Sequence, residues 1–457
     1  MLGLTNILKY KTSTIAYILI SCVLYVWFAY GLERTEALKL VALFVALFVF
    51  AYQIIKTSGF YFRILVISAI LFRLLFLFAI PNLSQDFFRF IWDGQMTLAG
   101  MNPYLTTPDL QMEMGLMSNF PNQTELHQGM GELSAMHFTN YPPLNQLCFI
   151  IGNLFPGQSI LSSVIGLRLI IIAADLGTLY FGKKLLEHLK LPSNRIFWYI
   201  LNPFIIIEFA GNLHFEGVMI FFLVWSLYLL HKQRWVWAAI LLACSISVKL
   251  IPLMFLPLFF WWFVRKDQLF TSLKKLTAFY GITLITVLLL FLPFFSMEFI
   301  NNYSKTVGLW FGDFEFNASI YYIARAIGFS ITGYNEIAII AKILPVISVL
   351  IILGFSFFKT NTSIPKLATS ILLVFSCYLF LSTTVHPWYI ATLIVLCMFT
   401  PYRYPLIWSI VIILSYLSYL GIGTSDKSEN LWIIGIEYLI VFAAFTWEVL
   451  LRRPIKI

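Results

Sequence analysis

Apolar runs long enough to cross a bilayer recur along almost the whole of this chain. About 20 helical residues span the ~30 Å of hydrocarbon in a membrane. Residues 14–32, 37–55, 62–80, 164–182, 196–211, 214–231, 235–249, 250–264, 273–293, 336–357, 366–385, 388–400, 405–420 and 431–450 read as such spans. Several are shorter than ~17 residues and read as broken or half-length helices. Composition agrees: of 457 residues, 60% are hydrophobic and 11% charged. Soluble domains average about 45–50% and about 25%. No soluble core could hide that much apolar surface. The expected fold is all-α, a polytopic transmembrane helical bundle of roughly 12–14 spans forming a single integral-membrane domain over residues 1–457.

The net charge of +9 speaks for loop placement and not for nucleic acid, because Lys and Arg gather in cytoplasmic loops of membrane proteins. Lys9 and Lys11 put the N-terminus inside, so three crossings carry residue 81 outside. The segment PPLNQLCFIIGNLF (142–155) then decides the rest. If it crosses, Lys183, Lys184, Lys190 and Arg195 fall outside. If it only dips into the outer face, they fall inside. HKQR (231–234), RK (265–266), Lys359 to Lys366, Arg403 and the terminal LRRPIK then fall inside with them. That single assumption orders every basic loop, which favours the dip.

The outer side then collects a long loop at 81–142, GNLHFEG (211–217), the turn around VKLIP (248–252), the loop 294–335, VHPWY (385–389) and GTSDKSEN (423–430). No small-residue cleavage site follows the first run, which reads as an uncleaved signal anchor. Cys22, Cys148, Cys244, Cys377 and Cys397 form no CxxC pair. That argues against a disulfide framework and a zinc site.

Charge is rare in this chain, so SQDFFRFIWDGQMTLAGMNPY (84–104) is unusual. Phe87, Phe88, Phe90, Ile91 and Trp92 read as a helix lying in the interface plane. Asp86, Arg89 and Asp93 recur at three- and four-residue spacing and share a face. A carboxylate near so much aromatic surface can have a tuned pKa and act as a base. A solvated loop acid is the plainer reading. Gly100, Asn102, Pro103 and Tyr104 make a turn, and Tyr141 with two prolines gives an extended entry to the next apolar segment.

GNLHFEG sets His214 and Glu216 between two apolar spans, as a tight hairpin or a substrate contact. Lys249 lies at the outer end of an apolar run, where it snorkels or meets a phosphate. His386 is placed in the same way. Asp313 and Glu315 read as solvated helix-end acids. Arg168 and Asp175 read as packing aids within one span, and Asn202 and Glu208 as satisfying a kinked helix. No P-loop, GxGxxG or paired-His spacing occurs, which leaves ATP-driven transport and nicotinamide chemistry without support.

D-x-x-R-x-x-W-D-G, then G-x-N-P-Y, then Y-P-P-L some forty residues later, resembles the multi-spanning GT-C glycosyltransferases. The bacterial polyprenyl-phosphate-mannose-dependent α-mannosyltransferases are the nearest resemblance. The catalytic subunit of the GPI mannosyltransferase I carries a looser version. LNPFIIIEFAGNLHFEG, VKLIP and HPWYI follow in the order expected there, so the likeness covers roughly residues 80–400.

The resemblance implies a GT-C-type bundle with interfacial helices in the first long outer loop. It implies inverting transfer of a hexose, mannose above all, from a polyprenyl-phosphate donor to a glycan or lipid acceptor. The family's catalytic acid matches Asp86. Arg89, Lys249 and His386 are then candidates for the leaving phosphate. Trp92, Asp93, Asn102, Tyr104, Tyr141, His214 and Glu216 are candidates for binding sugar. The acids Asp86 and Asp93 do not form a tight D-x-D pair, and no metal cofactor is expected. The implied location is a bacterial inner membrane in the cell envelope, with both termini cytoplasmic.

Two other classes compete. A flippase or transporter of lipid-linked saccharides predicts charges deep in the spans and internal symmetry. A polysaccharide polymerase or ligase predicts a large, arginine-rich late loop, whereas 294–335 has only Lys305 and Arg325.

Overall fold

The computed structural model describes residues 2–58, 61–118, 120–312, 314–418, 429–453 and 455. Asp313 and residues 423–428 of GTSDKSEN lie outside them, as do Pro454 and Lys456 of the basic tail. Among the described residues the regular structure is helical, with one isolated bridge between Phe316 and Thr384. This is an all-α, multi-pass membrane protein. The chain divides into two compact units, 1–221 and 222–457.

Seven helices among the described residues are long and apolar enough to cross a membrane. The other apolar runs are shorter or broken, chiefly where proline removes an N–H donor. The run at 250–264 becomes the 3-10 segment Ile251–Phe259 and one helical turn, Phe260–Phe263. The run at 388–400 becomes Pro387–Ile390 and Ala391–Cys397.

The first unit holds α1 (Leu2–Gly31), α2 (Ala37–Ser58), α3 (Phe62–Leu74), α4 (Asp86–Leu98), α5 (Pro108–Glu113), α6 (Gln123–Met130), α7 (Glu132–Ala135), α8 (Pro143–Asn153) and α9 (Ile160–His188). α1 packs on α2 and α3. Its Tyr25 and Phe28 are buried, whereas Leu19 and Val23 stay exposed. In a membrane such an outward apolar face meets lipid. α9 starts with a capping box in which Ser159 and Ser162 satisfy each other's backbone N–H.

Charges inside this unit are spent on holding it together. Arg73 Nε lies 2.7 Å from Asp175 Oδ2, and both side chains are 1% exposed. The pair ties α3 to α9, because a lone charge in hydrocarbon is costly. Arg168 of α9 donates to the carbonyls of Leu77 (2.9 Å), Ala210 and Gly211 (3.2 Å). It thereby satisfies the carbonyl end of a π-helical turn, Ile206–Gly211. Packing was the role expected of Arg168 and Asp175. Their partners lie on other segments, which the sequence did not reveal.

α8, at 11 residues, is about 17 Å long and too short to cross hydrocarbon. It packs against α4 and α9. Gly94 permits the close approach to α4: a Cβ there would stand 2.3 Å from Asn153 Nδ2 and 2.7 Å from the Phe149 carbonyl. Gly166 does the same for α9, where a Cβ would stand 2.2 Å from the Gly152 carbonyl.

The second unit holds the spans Lys266–Phe294, Ile337–Phe358, Ile364–Leu381 and Leu431–Leu450, with the shorter Trp235–Val248. Residues 314–317 form a short strap beside 383–385. Phe316 donates to the Thr383 carbonyl (3.0 Å) and Val385 to the Phe316 carbonyl (2.8 Å).

Candidate active site

α4 begins at Asp86, immediately after the irregular segment 79–85. An acid in a first helical turn complements the helix dipole. Asp86 is half-buried, whereas most of the helix behind it is buried. The three charges of α4 have different surroundings. Arg89 and Asp93 form a buried ion pair of 2.7 Å one turn apart. Arg89 also donates to the carbonyls of Ser134 (2.7 Å) and His137 (3.0 Å). The second Asp93 oxygen accepts from Gln146 Nε2 at 3.0 Å. Arg89 and Asp93 therefore brace the loop and α8 against α4. Of the three, Asp86 is the one carboxylate or cation left at partial exposure.

The other motif residues are likewise anchors. Trp92 is fully buried, and its indole N–H donates to Gln111 Oε1 at 2.6 Å. That leaves its ring inside the core and not as a platform for sugar. Gly100 sits at φ +77°, where α4 closes with a Schellman turn: Met101 donates to the Met96 carbonyl (3.0 Å) and Gly100 to that of Thr97 (3.0 Å). Asn102 Oδ1 accepts from the Tyr104 N–H at 3.0 Å. Buried Tyr104 donates its hydroxyl to the Tyr141 carbonyl at 2.6 Å. G-x-N-P-Y thus fixes the backbone at Tyr141, 37 residues downstream.

Tyr141 is where the two halves of the unit's chemistry meet. Its ring stands edge-on to Phe90 (5.1 Å) and Phe149 (5.4 Å), and Phe215 packs against both of those at 5.6 and 5.3 Å. Burial, and the charges of Asp86, Asp93 and Glu216, push its phenol well above the usual range; Arg89 opposes them. At neutral pH Tyr141 is a hydroxyl donor among carboxylates.

Glu216 is fully buried at the start of the helix Glu216–His231. The hairpin before it turns at Leu213, φ +65°. His214 Nε2 lies 3.3 Å from Glu208 Oε2, and Asn212 Oδ1 accepts from the Leu83 N–H at 3.3 Å. GNLHFEG is thus tied to the segment that delivers Asp86. The chain separates Asp86 and Glu216 by 130 residues, 216 less 86, yet the charges of both bear on the Tyr141 phenol.

In the second unit, Lys249 follows the helix Trp235–Val248 in extended conformation, φ −146°. His386 stacks on Trp388 (4.7 Å, 5°) and packs against Phe316 (5.1 Å). Burial and the charge of Lys249 lower its pKa to about 3. Both effects favour the neutral form of His386 at physiological pH. The strap beside it is pinned at Asn317. Its N–H donates to Glu429 Oε1 (2.9 Å), its amide to Glu437 Oε1 (3.3 Å), and its carbonyl accepts from Tyr438 (2.7 Å). Glu437, an acid inside the apolar run 431–450, was the available sequence signal for this node. Glu315 accepts from Asn335 Nδ2 at 2.8 Å and pairs with Arg325, so it is held and not simply solvated. Among the described residues no three His, Cys, Asp or Glu side chains converge as metal ligands would.

Residues 15–265 match the family described as Alpha-(1->6)-mannopyranosyltransferase, N-terminal domain. The chain is 22% identical to Alpha-(1->6)-mannopyranosyltransferase A of Mycobacterium tuberculosis over 222 residues, 48% of this chain and 41% of that protein. It is 24% identical to the protein of the same name from Corynebacterium glutamicum over 203 residues, 44% of this chain and 39% of that protein. The chain thus matches about two fifths of the length of these curated relatives. Asp86, Tyr141, Glu216 and Lys249 lie inside the family match, and His386 lies beyond it.

Proposed function

This chain belongs to the alpha-(1->6)-mannopyranosyltransferase family, and from that premise we propose that it is a membrane mannosyltransferase using a polyprenyl-phosphate mannose donor. The acceptor is a hydroxyl of a glycan or lipid. The relatives' names specify an α-(1→6) product. Inverting transfer to an α product calls for a β-linked donor, and both directions follow from one displacement at the anomeric carbon.

The observation that carries this reading is the position of Asp86: a half-buried carboxylate heading α4, left with partial exposure while its neighbours Arg89 and Asp93 neutralise each other. In the reaction an acceptor oxygen attacks the anomeric carbon as the bond to the phosphate oxygen breaks. The hydroxyl proton passes to the Asp86 carboxylate, and the electron pair leaves with prenyl phosphate. Tyr141 donates a hydrogen bond to sugar or acceptor, and Glu216 orients it. Lys249 and His386, the other candidates for a phosphate, belong to the second unit. The donor's prenyl tail stays in lipid, so the reaction belongs at the membrane surface. The segregation of basic loops supports cytoplasmic termini and an outer-face site in a bacterial inner membrane.

The test is transfer of radiolabelled mannose from polyprenyl-phosphate mannose in membranes, comparing the native chain with Asp86→Asn at matched expression. A loss of roughly 10²- to 10⁴-fold is expected for a general base. Equal transfer by both would move the base elsewhere, with Glu216 next. No transfer by the native chain from several prenyl-phosphate sugars would favour a transporter.

A further inference from the structure

Asn145, on α8, is fully buried. Among the described residues, neither its amide nitrogen nor its amide oxygen has a hydrogen-bond partner. Its neighbour Gln146 spends its nitrogen on Asp93 and Thr139, and its oxygen is also unpartnered. A buried amide without partners is costly, and folded proteins rarely tolerate one without a reason.

The helical register says where Asn145 belongs. Residues four apart share a helix face, and Asn145 shares that of Phe149. Phe149 stacks on Phe90 at 4.6 Å and 11° and meets Tyr141 and Phe215 edge-on. Side chains on a helix tilt toward its N-terminus, which on α8 is the end where Tyr141 enters through two prolines. Asn145 therefore shares the face of α8 whose Phe149 meets the Tyr141 ring. Gln146, three residues before Phe149, borders the same face, but its nitrogen is held by Asp93 and Thr139.

An amide offers two donors and an acceptor in one plane. Adjacent hydroxyls of a pyranose ring offer the matching acceptor and donor. We propose that Asn145 reads ring hydroxyls of the transferred hexose, and so is a specificity residue of the donor subsite. This rests on the mannosyltransferase reading above.

The experiment compares polyprenyl-phosphate mannose with its series of monodeoxy analogues, in membranes carrying the full chain. The native protein should transfer at least one analogue roughly tenfold more slowly than the complete donor, because a site built to bond a hydroxyl rejects its absence. In Asn145→Ala, and in the similarly sized Asn145→Leu, the complete donor should lose that same factor, and the analogue should lose nothing further. A merely structural amide would slow all donors alike, leaving every deoxy penalty as large as in the native chain. That result overturns the proposal. If Asn145→Ala does not accumulate, Asn145→Leu decides it, and if neither does, Asn145→Asp, which keeps an acceptor and the size, must alter the pattern of deoxy penalties. Failure of the native chain to transfer mannose at all would remove the functional reading and this proposal together. Native transfer with unchanged penalties removes this proposal alone.

Discussion

Arg89 and Asp93 stand one helical turn apart on α4 with Nε and Oδ1 at 2.7 Å, both buried. Removing one partner of such a pair strands the other charge. Asp93→Ala should therefore destabilise the protein by about 3–5 kcal/mol, read as a lower unfolding temperature in detergent. Asp86→Asn, at a half-buried position, should leave stability within about 0.5 kcal/mol of native. A loss of activity without a loss of stability in Asp86→Asn, and the reverse ordering for Asp93→Ala, would separate the reacting acid from the bracing one. Equal destabilisation would show that Asp86 is also a brace.

Arg73 and Asp175 provide a control inside the membrane span. Arg73→Met or Asp175→Leu alone should each cost about 3–5 kcal/mol, while the double variant should recover most of that loss. Thermal unfolding of the four proteins forms the cycle. Additive losses would mean that Arg73 acts mainly through the carbonyls of Ala69 and Ile200 that it also bonds.

Gly94 closes the W-D-G motif because α8 lies against it. Gly94→Ala would place a methyl 2.7 Å from the Phe149 carbonyl, which cannot rotate away. Overpacking of this kind costs about 1–3 kcal/mol. Transfer should fall as well, since α8 carries Tyr141's exit into the helix. Unchanged stability would show that the two helices separate freely.

Trp92→Phe removes one buried hydrogen bond, the 2.6 Å bond to Gln111. The expected cost is about 1 kcal/mol with the Michaelis constant for donor unchanged. A large rise in that constant would restore Trp92 as a sugar platform.

His386 gives a pH prediction. Its pKa is about 3, against an ordinary 6.5. Between those values the unfolded chain binds the proton and the folded chain does not. The stability it contributes is thus complete above pH 6.5, declines as the pH falls, and levels off below about 3. His386→Gln should flatten the acid limb of a stability profile in that window, and leave transfer with no new titration between pH 6.5 and 8. Lys249→Met should shorten the limb, so that it levels off at a higher pH with a smaller total loss, because it removes a charge that opposes protonation of the folded chain. An unaltered acid limb in both variants would mean that His386 does not titrate in this way.

The sequence by itself determined the class of this protein. Recurrent apolar runs leave only a membrane to bury them, and that solvent demands helices whose backbone bonds close internally. The block from Asp86 to Tyr104 also singled out a candidate site, because charge among aromatics is rare in such a chain. Local spacing correctly put Arg89 and Asp93 on one face, since a helix fixes that geometry within four residues. Tertiary structure alone decided what each polar group does. Trp92 and Tyr104 look like binding residues in the motif, yet Gln111 and the Tyr141 carbonyl claim their donors. Asp175 read as a packing aid within its span, but its cation comes from α3, 102 residues away. Asn145 carries no sequence signal at all; its significance lies in being buried without a partner on the face that Phe149 marks. Such roles depend on which donors and acceptors remain after packing has satisfied the rest. That remainder is a property of long-range contacts, and neither periodicity nor spacing encodes it.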